Sequence, residues 1–301
     1  MKLDDVDGSG FEIEDRRGRG SGGRSAGGGL GGLGAILGGM GAKAGIPAVI
    51  VVVVITLLAN MGGGGSGGTG AIDDVLGQLS GEQPTSQQAP TNAGATKDEA
   101  YEFVGDVGSL LESFWAETFA ASNKAFEPAS LVIFDSATDT GGCGVGQPEA
   151  GPFYCPPSQK MFIDFGFYER LEEELGFNGD FAMAYVLAHE YGHHVQNLLG
   201  INDKVREAQQ GASRAEANAL SVKLELQADC FAGVWAKSAF ERLEPGDIDE
   251  ALNAARAVGD DAIQGSNANQ ESFTHGTSRQ RKQWFTTGLE SGDPSACDTF
   301  A

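Results

Sequence analysis

Apolar positions recur along the chain at characteristic spacings, and these sort it into elements. Phe103, Val104, Val107, Leu110, Leu111, Phe114, Trp115 and Phe119 return every three or four residues, which predicts an amphipathic helix. Phe181-Ala182-Met183-Ala184-Tyr185-Val186-Leu187-Ala188 is an apolar run without proline and predicts a buried helix. Ser213 to Phe240 is helix-compatible throughout, with Leu220, Val222, Leu224, Leu226, Phe231 and Trp235 as apolar members. Ser130-Leu131-Val132-Ile133-Phe134 and Met161-Phe162-Ile163-Asp164 are short strand candidates, joined by a Gly/Pro-rich connection that carries cysteines. After Phe165 the pattern is mostly helical. The expected fold is α+β, mainly helical with a small sheet, over residues 98–301. About 200 residues suffice for one domain with a single core.

Upstream the pattern changes. Residues 1–45 are rich in Gly, Ser and Arg, and half of the chain's 46 glycines fall in its first 70 residues. Such composition buries too little apolar surface to offset chain entropy, so disorder is expected. Ile46 to Met61 is apolar and uncharged. The run is short against the roughly 20 residues a bilayer needs, although Leu33, Ala35, Ile36, Leu37 and Met40 could extend it. A signal-peptide core or a buried strand are the alternatives; the long preceding segment and the poor cleavage site Asn60-Met61-Gly62 favour a transmembrane helix. Arg16, Arg17, Arg19, Arg24 and Lys43 precede the run, and no Lys or Arg follows it until Lys97. The expected topology is a single-pass cell-membrane protein, with a cytoplasmic N-terminus and residues 62–301 outside. Residues 62–97 read as a flexible linker, with a brief helical option near Ile72–Leu79.

Charge and cysteines refine this picture. Residues 1–61 hold six basic and six acidic residues, so the formal net charge of −22 resides in the remainder. That domain is expected to avoid nucleic acid and anionic lipid surfaces. The acidity either favours cationic substrates or is a solubility device. Cys143, Cys155, Cys230 and Cys297 all follow the apolar run, and an even count outside the cytosol suggests disulfides, with three possible pairings. The preferred pairing closes a local loop with Cys143 and Cys155 and ties the C-terminus to a helix with Cys230 and Cys297. A four-cysteine zinc site is the rival, but no Cys-x-x-Cys is present.

Candidate chemistry lies at the end of the buried helix. His189-Glu190-Tyr191-Gly192-His193 puts two imidazoles four residues apart on one helix face, where both can hold one metal ion. Three of the chain's four histidines (His189, His193 and His194) fall within six residues. Glu190 sits beside the metal position and can handle the proton of an activated water. Zinc takes nitrogen and oxygen donors and acidifies bound water, so one Zn²⁺ is the expected cofactor. Glu225 and Asp229, also four apart, supply a third ligand and a carboxylate to orient a ligating histidine.

The His-Glu-x-x-His and Glu-x-x-x-Asp pair resembles the gluzincin metallopeptidases. The segments from His189 to Gly200, Glu225 to Trp235 and Phe273 to Ser278 are similar to the neutral zinc metallopeptidases of bacterial membranes. Gly151 to Pro156, Val258 to Asp261 and Cys297 to Phe300 extend the likeness. The resemblance covers most of residues 98–301, together with the glycine-rich N-terminus and the apolar run, and implies a peptidase. The expected function is a membrane-anchored zinc endopeptidase acting on a peptide or protein substrate. His189, His193 and Glu225 would be ligands, Asp229 their support, and Glu190 the general base. His275 is the first candidate donor to the oxyanion, with Tyr191 or Tyr154 behind it. Two further classes are a zinc-stabilised, membrane-tethered binding domain without catalysis and a metal-free scaffold.

Overall fold

The computed structural model describes residues 1–18, 99–166, 179–265 and 267–301. Helix α1 spans Glu99–Ala121. Six strands are described: β1 Ile13–Asp15, β2 Ser130–Ile133, β3 Thr138–Asp139, β4 Val145–Gly146, β5 Phe153–Cys155 and β6 Lys160–Ile163. Helices α2 Asp180–Leu198, α3 Ile201–Gln210, α4 Arg214–Ser238, α5 Asp247–Ala257, α6 Asp260–Gln264 and α7 Ser278–Ser291 follow. The architecture is the expected α+β one, with a small sheet beside a helical body. Among the described residues no helix is long and apolar enough to cross a membrane. The expected span at 46–61 and the linker at 62–97 lie outside the described residues.

The main sheet has the order β1-β2-β6-β5, with β1, β2 and β6 parallel and β5 antiparallel to β6. Side chains alternate across a strand, and both faces here are covered. Leu131, Ile133, Met161 and Ile163 join the large core with the helices, while Val132, Phe134, Cys155 and Phe162 form a smaller cluster on the opposite face. The Cys143–Cys155 disulfide and Phe153, stacked on Phe162 at 4.8 Å between ring centroids, accompany that second cluster. Burial on both faces explains why the two strands read as continuous apolar runs rather than alternating ones.

Helix α1 buries Val104, Val107, Leu111, Trp115 and Phe119, all on the stripe expected from their spacing. Helices α4 and α7 each open on a capping box: the Ser213 and Thr277 hydroxyls accept the backbone N–H of Glu216 and Gln280, whose side chains accept from the cap backbone in return.

The expected disorder of residues 1–45 needs correcting for residues 1–18. Ile13, Glu14 and Asp15 pair with Leu131, Val132 and Ile133 as the outer strand of the sheet. Phe11 is buried against α1, and the amino group of Met1 lies 2.8 Å from Asp180, 3.1 Å from Glu244 and 3.3 Å from Asp247. The composition of the whole segment concealed a local signal. Phe11-Glu12-Ile13-Glu14 alternates apolar and polar residues, the period of a half-buried strand.

Candidate metal centre

Helix α2 carries the first half of the centre and α4 the second. The two cross closely at Gly192: a Cβ built there would stand 3.0 Å from the carbonyl oxygen of Ala228. A larger residue between the two histidines would therefore push away the helix that brings Glu225 and Asp229.

His189, His193 and Glu225 converge, each offering a ligand atom within 4.8 Å of the other two. Nε2 of His189 lies 3.2 Å from one Glu225 carboxylate oxygen, and Nε2 of His193 lies 3.5 Å from the other. Zinc–nitrogen and zinc–oxygen bonds of about 2.0–2.1 Å in a tetrahedron put neighbouring ligand atoms about 3.4 Å apart. The observed separations match that edge, and two imidazole nitrogens with one carboxylate are a donor set suited to zinc.

The remaining ring nitrogens are fixed. Nδ1–H of His189 donates to Asp229 at 2.8 Å, and Nδ1–H of His193 donates to the side-chain oxygen of Gln196 at 2.9 Å. In the neutral rings these acceptors fix the tautomer that turns a bare Nε2 toward Glu225, where a metal could bind. Asp229 is fully buried and also accepts from the Tyr185 hydroxyl at 2.6 Å and from Arg281 Nε and Nη2 at 2.8 and 2.9 Å. Gln196 in turn donates to the Leu224 carbonyl and to Gln227 Oε1, and Gln227 donates to the Cys297 carbonyl at 2.9 Å. The Cys230–Cys297 disulfide holds that last carbonyl against α4.

The electrostatics follow from this packing. Burial alone would raise the Glu225 pKa, but the imidazoles of His193 and His275 and hydrogen bonds from His189 and His193 hold it well below the ordinary value. Burial likewise opposes ionisation of Asp229, and Arg281 and His189 outweigh it, so its pKa is lowered. For His189 burial pulls downward, while the Asp229 charge and hydrogen bonds to Asp229 and Glu225 raise the pKa to about 9. Glu190 is buried, and desolvation pushes its pKa up against the lowering effect of His189 and His193.

His275 sits on the turn before α7. Asp260 Oδ2 accepts the backbone N–H groups of Thr274, His275 and Gly276 at 2.9, 2.6 and 2.9 Å, and the other oxygen lies 3.5 Å from His275 Nδ1. Burial lowers the His275 pKa, but Glu225 and Asp260 raise it on balance, so this imidazole is electrostatically part of the centre. Of the other oxyanion candidates, Tyr154 is otherwise engaged. The Tyr154 hydroxyl lies 2.9 Å from Nδ1 of His194 and accepts from Asn197. Tyr191 is fully buried, with its ring edge-on to that of His194. His194, the third histidine of the cluster, points to the sheet side, its Nε2 lying 2.7 Å from the Glu127 carbonyl.

Sequence reasoning missed Arg281, Gln196, Tyr185 and Asp260. Arg281 left a trace: with Phe285 and Gly288 it forms the buried stripe of α7, and an arginine in register with such a stripe implies a buried carboxylate partner. All four cysteines pair as preferred, Cys143 with Cys155 and Cys230 with Cys297.

A sequence profile of the family described as "Putative neutral zinc metallopeptidase" matches residues 1–300. The chain belongs to that family. Membership extends to the N-terminal residues that form β1 and names zinc as the metal to which the donor set already points. The chain is 47% identical over 232 residues to the protein YpfJ of Escherichia coli (strain K12), covering 75% of this chain and 80% of that one. It is 40% identical over 210 residues to the protein Rv2575 of Mycobacterium tuberculosis (strain ATCC 25618 / H37Rv), covering 64% and 68% of the two chains. Both relatives carry the printed description "Uncharacterized protein". No solved structure matches the chain.

Proposed function

We propose that this protein is a zinc-dependent endopeptidase with a single metal site on His189, His193 and Glu225. The observation that carries the reading is the paired orientation of the two imidazoles: each Nδ1–H has a buried acceptor, and each Nε2 faces the same carboxylate. Bound zinc would supply a Lewis acid that polarises the scissile carbonyl and acidifies water.

Glu190 is the general base. Its carboxylate neighbours both ligating histidines on α2, and burial raises its proton affinity, which suits a group that takes a proton from water and passes it to the leaving amine. His275 donates to the oxyanion of the tetrahedral intermediate. Burial lowers its pKa but Glu225 and Asp260 raise it on balance, which favours the donating imidazolium, and Asp260 fixes the turn that presents it. Asp229 orients His189, and Arg281 holds Asp229 ionised in a fully buried position.

We further propose association with the cell membrane through residues 46–61, with the catalytic domain outside the cytoplasm. The support is the uncharged apolar run and two disulfides, which persist in oxidising compartments. The experiment is metal analysis of the purified chain with a peptide-library digest, with and without chelator. One zinc per chain and chelator-sensitive cleavage are expected; a metal-replete chain that cuts nothing would leave a zinc-stabilised binding domain as the function.

A further inference from the structure

We propose that residues 1–18 and residues 99–301 lie on the same side of the membrane. The charge rule alone places them on opposite faces. The membrane is the one proposed above to hold residues 46–61, and the contacts between the N-terminal segment and the domain do not depend on it.

The N-terminal segment is built into the catalytic domain by three kinds of contact. The first is backbone pairing. Beyond the β1–β2 register, the Leu131 N–H donates to the Glu12 carbonyl at 2.9 Å, the Arg16 N–H to the Ile133 carbonyl at 2.8 Å, and the Gly18 N–H to Asp135 at 2.7 Å. These bonds complete the edge of β2, whose buried polar groups would otherwise lack partners.

The second is shape. Helix α1 carries two buried glycines one turn apart, Gly105 and Gly108. Interior glycine weakens a helix relative to alanine, so the pair calls for a reason. A Cβ on Gly108 would meet the Phe11 ring at 2.3 Å, and one on Gly105 would stand 3.4 Å from the Gly8 carbonyl oxygen. Gly8 itself approaches so closely that a Cβ there would lie 2.5 Å from the α1 backbone. The helix is notched where the segment crosses it.

The third is charge. Arg16 donates to the Thr138 hydroxyl and the Asp139 carbonyl, each at 2.7 Å, Lys160 pairs with Glu14 at 3.1 Å, and Arg242 pairs with Asp5. Arg16 and Arg17, two of the five basic residues that argue for a cytoplasmic N-terminus, have their charges paired within the segment itself, by Glu14 and Asp15. Residues 1–61 are balanced at six basic and six acidic. Donation of the segment by a neighbouring copy would demand the same sidedness. The two disulfides assign the shared side to the oxidising compartment.

The test uses the full chain in bacterial cells, with one epitope inserted after Ser21 and another after Ala301. Protease added to spheroplasts is expected to remove both. Loss of one epitope with protection of the other would overturn the proposal; joint protection would keep the shared side and move it to the cytoplasm. Fractionation reads the membrane association separately, since a chain found wholly in the soluble fraction refutes that reading and leaves the two-epitope result intact. As a second arm, Phe11→Asp in the full chain should lower the thermal midpoint of the catalytic domain by several degrees in intact membrane vesicles. An unchanged midpoint would overturn the proposal.

Discussion

The two ends of helix α2 each gather three potential metal ligands, and they differ in everything else. Near the end of the helix stand His189, His193 and Glu225; at its beginning stand Asp180, Asp247 and Glu250. The second group holds only carboxylates, its Asp180 and Asp247 lie within 3.3 Å of the amino group of Met1, and Glu250 accepts the Phe181 N–H. Its negative charge is already matched by protein donors. The first group mixes imidazole nitrogens with one carboxylate, and each imidazole is held from behind by Asp229 or Gln196. Proximity of oxygen atoms is therefore a poor sign of a metal centre. The sign is a set of ligands whose other hydrogen bonds are satisfied in a way that leaves one atom of each free.

That contrast can be broken experimentally. The largest expected effect is for Glu190→Gln, which should lower kcat by about 10²–10⁴-fold while the protein still holds one zinc; retained activity would refute the mechanism. Glu225→Gln should lose zinc and activity together, whereas Glu250→Gln at the other end of α2 should leave the zinc content unchanged, both read by metal analysis. Asp229→Asn or Arg281→Gln should weaken zinc binding by roughly 10–100-fold, measured by competition with a chromophoric chelator.

Acidity sharpens the same comparison. A ligating histidine must be neutral, and His189 in the metal-free protein stays protonated up to about pH 9. Zinc binding at neutral pH should therefore release a proton from it. Apparent affinity should rise with pH by about tenfold per unit from this group until that value is passed. Calorimetry in buffers of different ionisation enthalpy would count the proton. The smallest effect is on stability: Cys230→Ala with Cys297→Ala should cost about 2–4 kcal/mol in denaturant unfolding.

Much of the centre could be read before any coordinates, for a physical reason. Ligands four residues apart on helices obey the helical period, so His189 with His193 and Glu225 with Asp229 announce a shared face. The helices themselves were legible through their apolar stripes, and β2 and β6 through their runs of large apolar residues. What escaped depends on contacts distant in sequence. Arg281 and Gln227 gain their roles only because α7 and the Cys297 region pack on α4, and no periodicity reports that. His194 shows how little adjacency decides: next to His193 in sequence, it faces the sheet side of the same helix. Residues 1–18 were misread because a bulk property, glycine content, was averaged over a segment that holds a strand.

The hydrogen-bond run from Cys297 through Gln227 and Gln196 to His193 has a consequence for the order in which the protein is made. A nascent chain that has already extruded α2 and α4 possesses His189, His193 and Glu225 but lacks the carbonyl that steadies Gln227 and the partner that oxidises with Cys230. A chain stalled before residue 297 would thus hold these side chains without the hydrogen-bonded support behind His193. The support behind His193 is complete only once that stretch has left the exit tunnel and its sulfur has been captured by Cys230.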